Sequence, residues 1–248
     1  MNPATKIRTT SVGRLVSRDQ LKPDELGKMY GLLCEHFDGV TIEQFHRDIA
    51  DKNWIVLVER GARLVGFSTI LAYETCVSGQ TCSVIYSGDT IVASEGWNSS
   101  TLPRAWIESV ASLRRFYPRG PYLWLLLTSG FRTYRYLPLF WREFFPRFDS
   151  QTPAHGKNLM DALALARFGP QYHLAEGIVR FENPQRLRGP LAVIPSGREE
   201  DPHVAFFAAR NPGYVEGDEL VCITELSPRN LTSAGRRMAS AIPRWCQW

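Results

Sequence analysis

The chain has 248 residues, of which 44% are apolar and 22% charged, and its formal net charge is +4. This composition is typical of one or two globular domains and excludes disorder, collagen or coiled coil as a description of the whole chain. The longest purely apolar run, residues 123–127, is far shorter than the roughly 20 residues of a membrane-spanning helix.

The first half of the chain predicts two helices and then a meander. A loose arm over residues 1–20 precedes a helix that begins near Pro23, where proline and two acids favour a first turn. A second helix opens at Thr41, whose hydroxyl can cap Gln44. β-rich runs at 54–58, 64–73 and 82–92, separated by glycine turns, then predict three antiparallel strands.

The middle and C-terminal parts predict alternating helices and strands. A loop over 96–103 leads into a helix over 102–116, a fully buried strand over 122–127, and a short helix from Phe131 that soon meets Pro138. Further along, we predict helices and strands in turn; the helices cover 158–168, 202–210 and 230–241, and the strands cover 172–181, 191–194 and 220–226.

The positive charge of the chain is concentrated in one segment. Residues 104–147 contain eight arginines, no lysine and two acids, which sums to +6 and leaves −2 for the rest of the chain. Such a cluster indicates either an anionic partner or a solvated face with internal ion pairs. The five cysteines are scattered, and the N-terminus lacks the apolar stretch of a signal peptide. We therefore expect reduced thiols, no membrane association and a cytoplasmic protein.

Several phrases resemble a known family. The order of elements, together with WIVLVERGARLVGFSTIL (54–71) and SGDTIV (87–92), resembles the GNAT (GCN5-related N-acetyltransferase) superfamily. SGDTIV, TSGFRTYRYL (128–137) and NPGYVEGDELVC (211–222) also resemble an uncharacterised bacterial subgroup. The resemblance implies an α/β fold with a central mixed, mostly antiparallel sheet flanked by helices. We expect an N-terminal arm over 1–20, a GNAT-like core over 21–154 and an α/β C-terminal extension over 155–248 that packs on the core.

The resemblance also implies where a donor would bind. GNAT enzymes hold acyl-CoA where the fourth and fifth strands of the fold separate, with pantetheine against the fourth strand and the pyrophosphate at the next helix N-terminus. Exposed amides and the helix dipole favour an anion there. On this chain the strand corresponds to Ile91, Val92 and Ala93, and the loop and helix start correspond to Trp97, Asn98, Ser99, Ser100, Thr101 and Arg104. The loop departs from the family pattern because it has one glycine, Gly96, instead of two.

Catalysis of N-acyl transfer needs a base for the amine and an acid for the leaving thiolate. In the family a tyrosine early in the helix after the fifth strand meets the thiolate, and Tyr134 matches best, with Tyr136 second. Asp89, within a strand, and Glu95, at a strand end, are candidate bases. Tyr86, Tyr136 and His155 are candidates for the substrate pocket. All of them have plainer interpretations as packing, capping or surface residues.

We therefore expect an acyltransferase that moves an acyl group from a pantetheine thioester, on CoA or a carrier protein, to a small-molecule amine. The sequence predicts no metal and no tightly bound cofactor. Two alternatives stay open: an aminoacyl-tRNA-dependent transferase, and a catalytically silent GNAT-like binding module. Trp245 and Trp248 near the end of the chain predict packing or a homodimer contact.

Overall fold

The computed structural model describes residues 10–96 and 99–242, apart from the side chains of Glu95 and Ala241. Within these residues the strands are β1 (Ser11–Ser17), β2 (Phe37–Asp38), β3 (Trp54–Arg60), β4 (Arg63–Val77), β5 (Gln80–Val92), β6 (Tyr122–Thr128), β7 (Tyr172–His173), β8 (Ile178–Val179), β9 (Arg186–Leu187) and β10 (Glu219–Glu225). The helices are α1 (Pro23–His36), α2 (Ile42–Ala50), α3 (Thr101–Leu113), α4 (Phe131–Tyr134), α5 (Tyr136–Phe140), α6 (Ala154–Phe168), α7 (Pro202–Arg210) and α8 (Ser233–Met238).

Eight of the described strands form one sheet in the order β1-β3-β4-β5-β6-β10-β8-β7. Its pairings are antiparallel except for β5 with β6. The predicted mixed, mostly antiparallel sheet is confirmed. Strands β10, β8 and β7 come from the expected C-terminal extension, so this region completes the central sheet, in addition to packing on it.

The predicted helices and strands from α1 to α4 are confirmed, whereas strand β2 and the second short helix α5 were not predicted. Thr41 caps α2 because its hydroxyl accepts a hydrogen bond from the Gln44 amide at 3.2 Å. Strand β6 is buried along its whole length, as its lack of alternation predicted. It separates two apolar cores, one beneath α3, which includes Trp106, and one beneath α6, which includes Met160.

Four local predictions were wrong. Residues 11–17 of the expected arm form strand β1, which pairs with β3 at the sheet edge. Residues 172–181 form two short strands, because Gly177 adopts a left-handed conformation (φ +71°) and turns the chain between them. Residues 191–194 form no strand, and Leu191 ends a 3-10 turn over Gly189–Leu191 that contains Pro190. The last helix is shorter than predicted and covers Ser233–Met238.

The close packing of α3 on β1 depends on a glycine. A Cβ atom added to Gly13 would lie 2.2 Å from the Cβ of Ala105 in α3, whereas one added to the exposed Gly27 in α1 would meet nothing within 4 Å. A methyl group at position 13 must therefore push the strand and helix apart, while one at position 27 only raises helix propensity.

We expect Gly13→Ala to lower the free energy of unfolding by about 2 kcal/mol through overpacking. Gly27→Ala should raise it by roughly 0.5–1 kcal/mol. Urea denaturation followed by circular dichroism measures both. Equal effects of the two substitutions would contradict the close contact between α3 and β1.

Within the described ranges, every helix is too short or too polar to cross a membrane.

Candidate active site

The central feature of the site is the separation of β5 from β6. The two strands pair in parallel from Ser83 with Tyr122 to Ser87 with Leu126, and the pairing stops there. At the same point β5 bulges, because Gly88 and Asp89 together oppose the single residue Thr69 of β4. The separation that the resemblance implied is therefore present, and a bulge lies at its apex.

A cavity of about 750 Å³ opens at this separation. It runs from the bulge on one side to α2, α6 and the start of β10 on the other. The residues discussed below that line it are Gln44, Asp48, Asp51, Lys52, Tyr86, Asp89, Ile91, Val92, Ser99, Arg132, Arg135, Tyr136, Arg167 and Glu219.

Two of the three predicted pantetheine-strand residues, Ile91 and Val92, line this cavity. Ala93 is buried and does not line it, and its amide donates to the Val65 carbonyl at 2.9 Å. Successive amides of a strand point to opposite sides. The amides of the even-numbered residues at this end of β5 therefore point to the side from which β6 has separated. There the Val92 carbonyl lies 3.0 Å from Nε2 of His36.

The predicted phosphate loop is only partly placed at the cavity. Ser99 lines it, and its hydroxyl lies 2.7 Å from that of Thr101. Ser100 and Thr101 begin α3 outside the lining. Arg104 points away, with Nη1 3.4 Å from the Ser240 hydroxyl. Trp97 and Asn98 lie outside the described residues.

The structure places Tyr134 away from the cavity, contrary to the expectation for a catalytic residue. Its side chain is fully buried, and its hydroxyl donates to the Pro146 carbonyl at 2.9 Å. The ring packs against Phe144, Phe206 and Phe207. Tyr134 matched the family position but faces the core, because α4 is a single turn and α5 follows it at once. Tyr136, which begins α5, lines the cavity instead, and burial raises the pKa of its phenol.

Some of the remaining candidate site residues line the cavity and others do not. Asp89 projects from the bulge into the cavity, where burial raises the pKa of its carboxyl to about 6, against the opposing charge of Lys52. The ring of Tyr86 forms part of the cavity wall. His155 is exposed at the start of α6 and is not among the lining residues. The backbone of Glu95 lies in a 3-10 turn, and its side chain lies outside the described part of the structure.

Several charged residues of the cavity were missed in the sequence, among them Lys52, Arg167, Asp48 and Glu219. Lys52 is 5% exposed, and its Nζ donates to the Asp48 carbonyl at 3.1 Å. Arg167 projects from α6 and forms an ion pair with Asp51. Asp48 lies on α2, and Glu219 begins β10. Burial raises the pKa of the Asp48 carboxyl and raises that of Glu219 to about 8.

Tyr86 lies close to both cations, Lys52 and Arg167, and the three side chains form one wall of the cavity. Lys52 Nζ lies 5.4 Å from the centre of the Tyr86 ring and the Arg167 guanidinium lies 4.9 Å from it. Each distance is within cation–π range. The wall therefore brings together Lys52 just after α2, Tyr86 on β5 and Arg167 on α6, which are far apart in sequence.

A pattern in the sequence could have found part of this wall. Gln44, Asp48 and Lys52 recur every four residues, a spacing that places them on one face of a helix. In the structure Gln44 Nε2 donates to Asp48 Oδ1 at 2.8 Å, and all three line the cavity. A polar stripe of this kind normally marks a solvated surface. The sequence around these residues does not show that β5 and β10 cover this polar stripe.

The arginine-rich segment does not form a single patch. Arg119 pairs with Glu74, Arg135 with Asp201 and Arg147 with Asp149. Of the eight arginines, Arg132 and Arg135 line the cavity. Much of the positive excess is therefore matched by internal ion pairs.

Comparisons with known proteins gave matches among solved structures. A probable N-acyltransferase of unknown function from Enterococcus faecalis matches 86% of this chain with a TM-score of 0.42 at 12% identity. The chain spans 65% of the length of that protein. The match to ElaA of Escherichia coli covers 58% of this chain and 95% of the ElaA chain, with a TM-score of 0.38 at 14% identity.

A third match is to glucosamine-6-phosphate N-acetyltransferase from Arabidopsis thaliana. It covers 46% of this chain and 81% of the Arabidopsis chain, with a TM-score of 0.33 at 15% identity. No protein-family model matches the chain, and no curated protein matches it. These identities and TM-scores are low, so the chemistry must be inferred from the residues of the cavity.

Proposed function

We propose that the protein transfers an acyl group from a pantetheine thioester, on CoA or an acyl-carrier protein, to an amine. The observation that carries the proposal is the opening of β5 from β6 directly above a large cavity that holds a carboxyl and a phenol. One polar group is needed to take a proton from the amine and another to return a proton to the thiolate. A thioester is already activated, so positioning supplies much of the remaining rate.

The residues at the opening fit a pantetheine arm in part. Ile91 and Val92 form an extended edge along the cavity, and Ser99 lies close to the start of α3. The amides of a helix N-terminus favour a phosphate. Beside Tyr136, the rings of Trp106 and Trp124 pack with their centres 4.3 Å apart and their planes tilted by 39°. The small pocket beside these rings measures about 30 Å³. A pocket of this size accommodates at most a short acyl group.

Asp89 and Tyr136 take the two proton-transfer roles in this proposal. A carboxyl with a pKa of about 6 is largely ionised at neutral pH and still basic enough to accept a proton. A phenol with a raised pKa stays protonated and can donate to the thiolate. Tyr136 lines both the cavity and the small pocket, so a chain that passes from one to the other lies beside it.

A pair of tyrosine substitutions tests this assignment. With acetyl-CoA and a panel of primary amines, we expect Tyr136→Phe to lower kcat about 10- to 100-fold, because it removes the proton donor. Tyr134→Phe should leave kcat unchanged and lower stability by about 1 kcal/mol, since it removes one buried hydrogen bond. Release of free thiol measures turnover, and thermal melting measures stability.

Two results would contradict the proposal. Loss of turnover in Tyr134→Phe, with Tyr136→Phe unaffected, would remove Tyr136 from the mechanism. Absence of amine-dependent thiol release with any short acyl-CoA or carrier-protein thioester would overturn acyl transfer itself.

A further inference from the structure

A basic surface lies beside the cavity, on α8 and the start of α3. Arg236 and Arg237 are exposed on α8, and Arg104 lies in the first turn of α3. Two hydrogen bonds join these elements: Arg104 Nη1 lies 3.4 Å from the Ser240 hydroxyl, which in turn donates to the Arg237 carbonyl at 2.9 Å. The three arginines therefore belong to one continuous surface, which we call the α8 surface.

Little acid balances the charge of the α8 surface. Burial raises the pKa of the Glu108 carboxyl, one turn further along α3, and the charge of Arg104 opposes this rise. No acid occurs among residues 226–248, which include four arginines. Within the described part of the chain, none of the three arginines of the α8 surface forms an ion pair. The surface therefore keeps most of its positive charge.

The α8 surface adjoins the cavity on two sides. Thr232, which caps α8, donates from its hydroxyl to the Leu139 carbonyl at 2.6 Å. Leu139 lines the cavity and is 51% exposed. On the other side, Ser99 lines the cavity two residues before α3 begins. In the proposed binding mode, a pantetheine arm therefore leaves the protein next to these arginines.

The shape of the α8 surface distinguishes two carriers of pantetheine. None of its three arginines lines the cavity or the small pocket, whereas nucleotides and other small molecules usually bind in clefts. Exposed charges with an apolar residue at their edge, here Leu139, are typical of a surface that meets another protein. The arrangement therefore favours a protein that carries the pantetheine arm over the nucleotide of CoA.

The loop before α3 supports the same choice. The amides of Gly96 and Ser99 already donate to the carbonyls of Ala93 and Gly96, at 2.7 and 2.8 Å. The amide of Thr101 donates to the Ser99 hydroxyl at 3.2 Å. Fewer of the described loop amides therefore remain for the pyrophosphate of CoA, whereas the start of a helix is enough for the single phosphate of a phosphopantetheine arm.

We infer that an acidic acyl-carrier protein delivers the thioester and docks on Arg104, Arg236 and Arg237, with Leu139 at the edge of the interface. This inference rests on the proposed acyl transfer and specifies the partner that supplies the donor. The chemistry is the same: the C–S bond of the thioester breaks, the C–N bond of the amide forms, and the protonated thiol stays on the carrier protein. Opposite charge speeds such an encounter and makes it sensitive to salt.

The test compares an acetylated bacterial acyl-carrier protein with acetyl-CoA as donors to the best amine. We expect kcat/KM for the carrier protein to be about tenfold higher or more at low salt, and to lose most of this advantage at about 0.5 M salt, where exposed charges are screened. Arg237→Glu should raise the KM for the carrier protein about fivefold or more, and adding Arg236→Glu should raise it further. The KM for acetyl-CoA should change by less than about twofold, because the nucleotide does not need this surface.

Arg115→Glu is the matched control. Arg115 is exposed just beyond the other end of α3, so this substitution makes the same change of charge away from the cavity. It should leave the KM for both donors unchanged. Thermal melting of each variant confirms that it is folded.

Calorimetric titration of the carrier protein without an acyl group keeps the two proposals separable. If no thioester is cleaved but the carrier protein binds and Arg237→Glu weakens it, acyl transfer fails and the docking surface stands. Equal use of the two donors, with neither changed by Arg237→Glu, would overturn the inference while acyl transfer stands. Binding of transfer RNA in place of the carrier protein, weakened by the same substitution, would also overturn it and assign the surface to a nucleic acid.

Discussion

Replacing Asp89 with asparagine should lower kcat/KM by a factor of about 10² to 10⁴, the range typical for loss of a general base. The asparagine keeps the shape of the side chain at the bulge and cannot take a proton from the amine. Its neutral amide should fit the fold, because the native carboxyl is already disfavoured as an anion by burial, which raises its pKa to about 6. Turnover with acetyl-CoA and the best amine measures the effect.

The pH profile makes this prediction specific. A base must be deprotonated to act, so kcat/KM of the native protein should rise tenfold per pH unit below about 6 and level off above it. Asp89→Asn should remove this break together with most of the activity. Asp24→Asn serves as control, because Asp24 forms an exposed pair with Lys28 on α1 and should change neither rate nor profile. A native profile that is flat from pH 5 to 7 would exclude Asp89 as the base.

Local patterns predicted much of the fold. The helices α1, α2 and α7 and the strands β3 to β6 follow from apolar spacing, caps and turn residues within about fifteen positions. Strand β1 escaped prediction because its glycine and arginine weaken the pattern, and its place depends on contact with β3 and α3. The hairpin of β7 and β8 was merged into one strand, since the turn at Gly177 lies inside an otherwise apolar run.

The candidate site was predicted less completely, and for a related reason. Asp89, Tyr86, Ile91 and Val92 were found because they lie on one strand beside the expected opening. Arg167 and Glu219 reach the cavity only because the C-terminal region returns to add α6 and β10 to the core. The choice of Tyr134 over Tyr136 depended on which way a one-turn helix faces, and sequence spacing does not determine that direction.

Glu219→Gln should stabilise the protein at alkaline pH. Glu219 has its pKa raised to about 8 from an ordinary value of 4.5, chiefly by burial and then by the charges of Asp89 and Asp48. The native state therefore holds this proton more tightly than the unfolded state does. Stability contributed by the protonated carboxyl is fully present below about pH 4.5 and is lost as the pH rises towards 8. Glutamine has no proton to lose and keeps its contribution throughout.

Relative to the native protein, the free energy of unfolding of Glu219→Gln should rise by roughly 3 kcal/mol between pH 5 and pH 9. This figure follows from about 1.4 kcal/mol per unit of pKa shift, reduced because Glu219 is partly exposed. Urea denaturation at the two pH values measures it, with Glu225→Gln as the control that should follow the native protein, because Glu225 ends the same strand β10 but is exposed. A gap between the two proteins that stays constant with pH would show that Glu219 remains ionised throughout, and the burial of this carboxyl as the cause of a raised pKa would then be wrong.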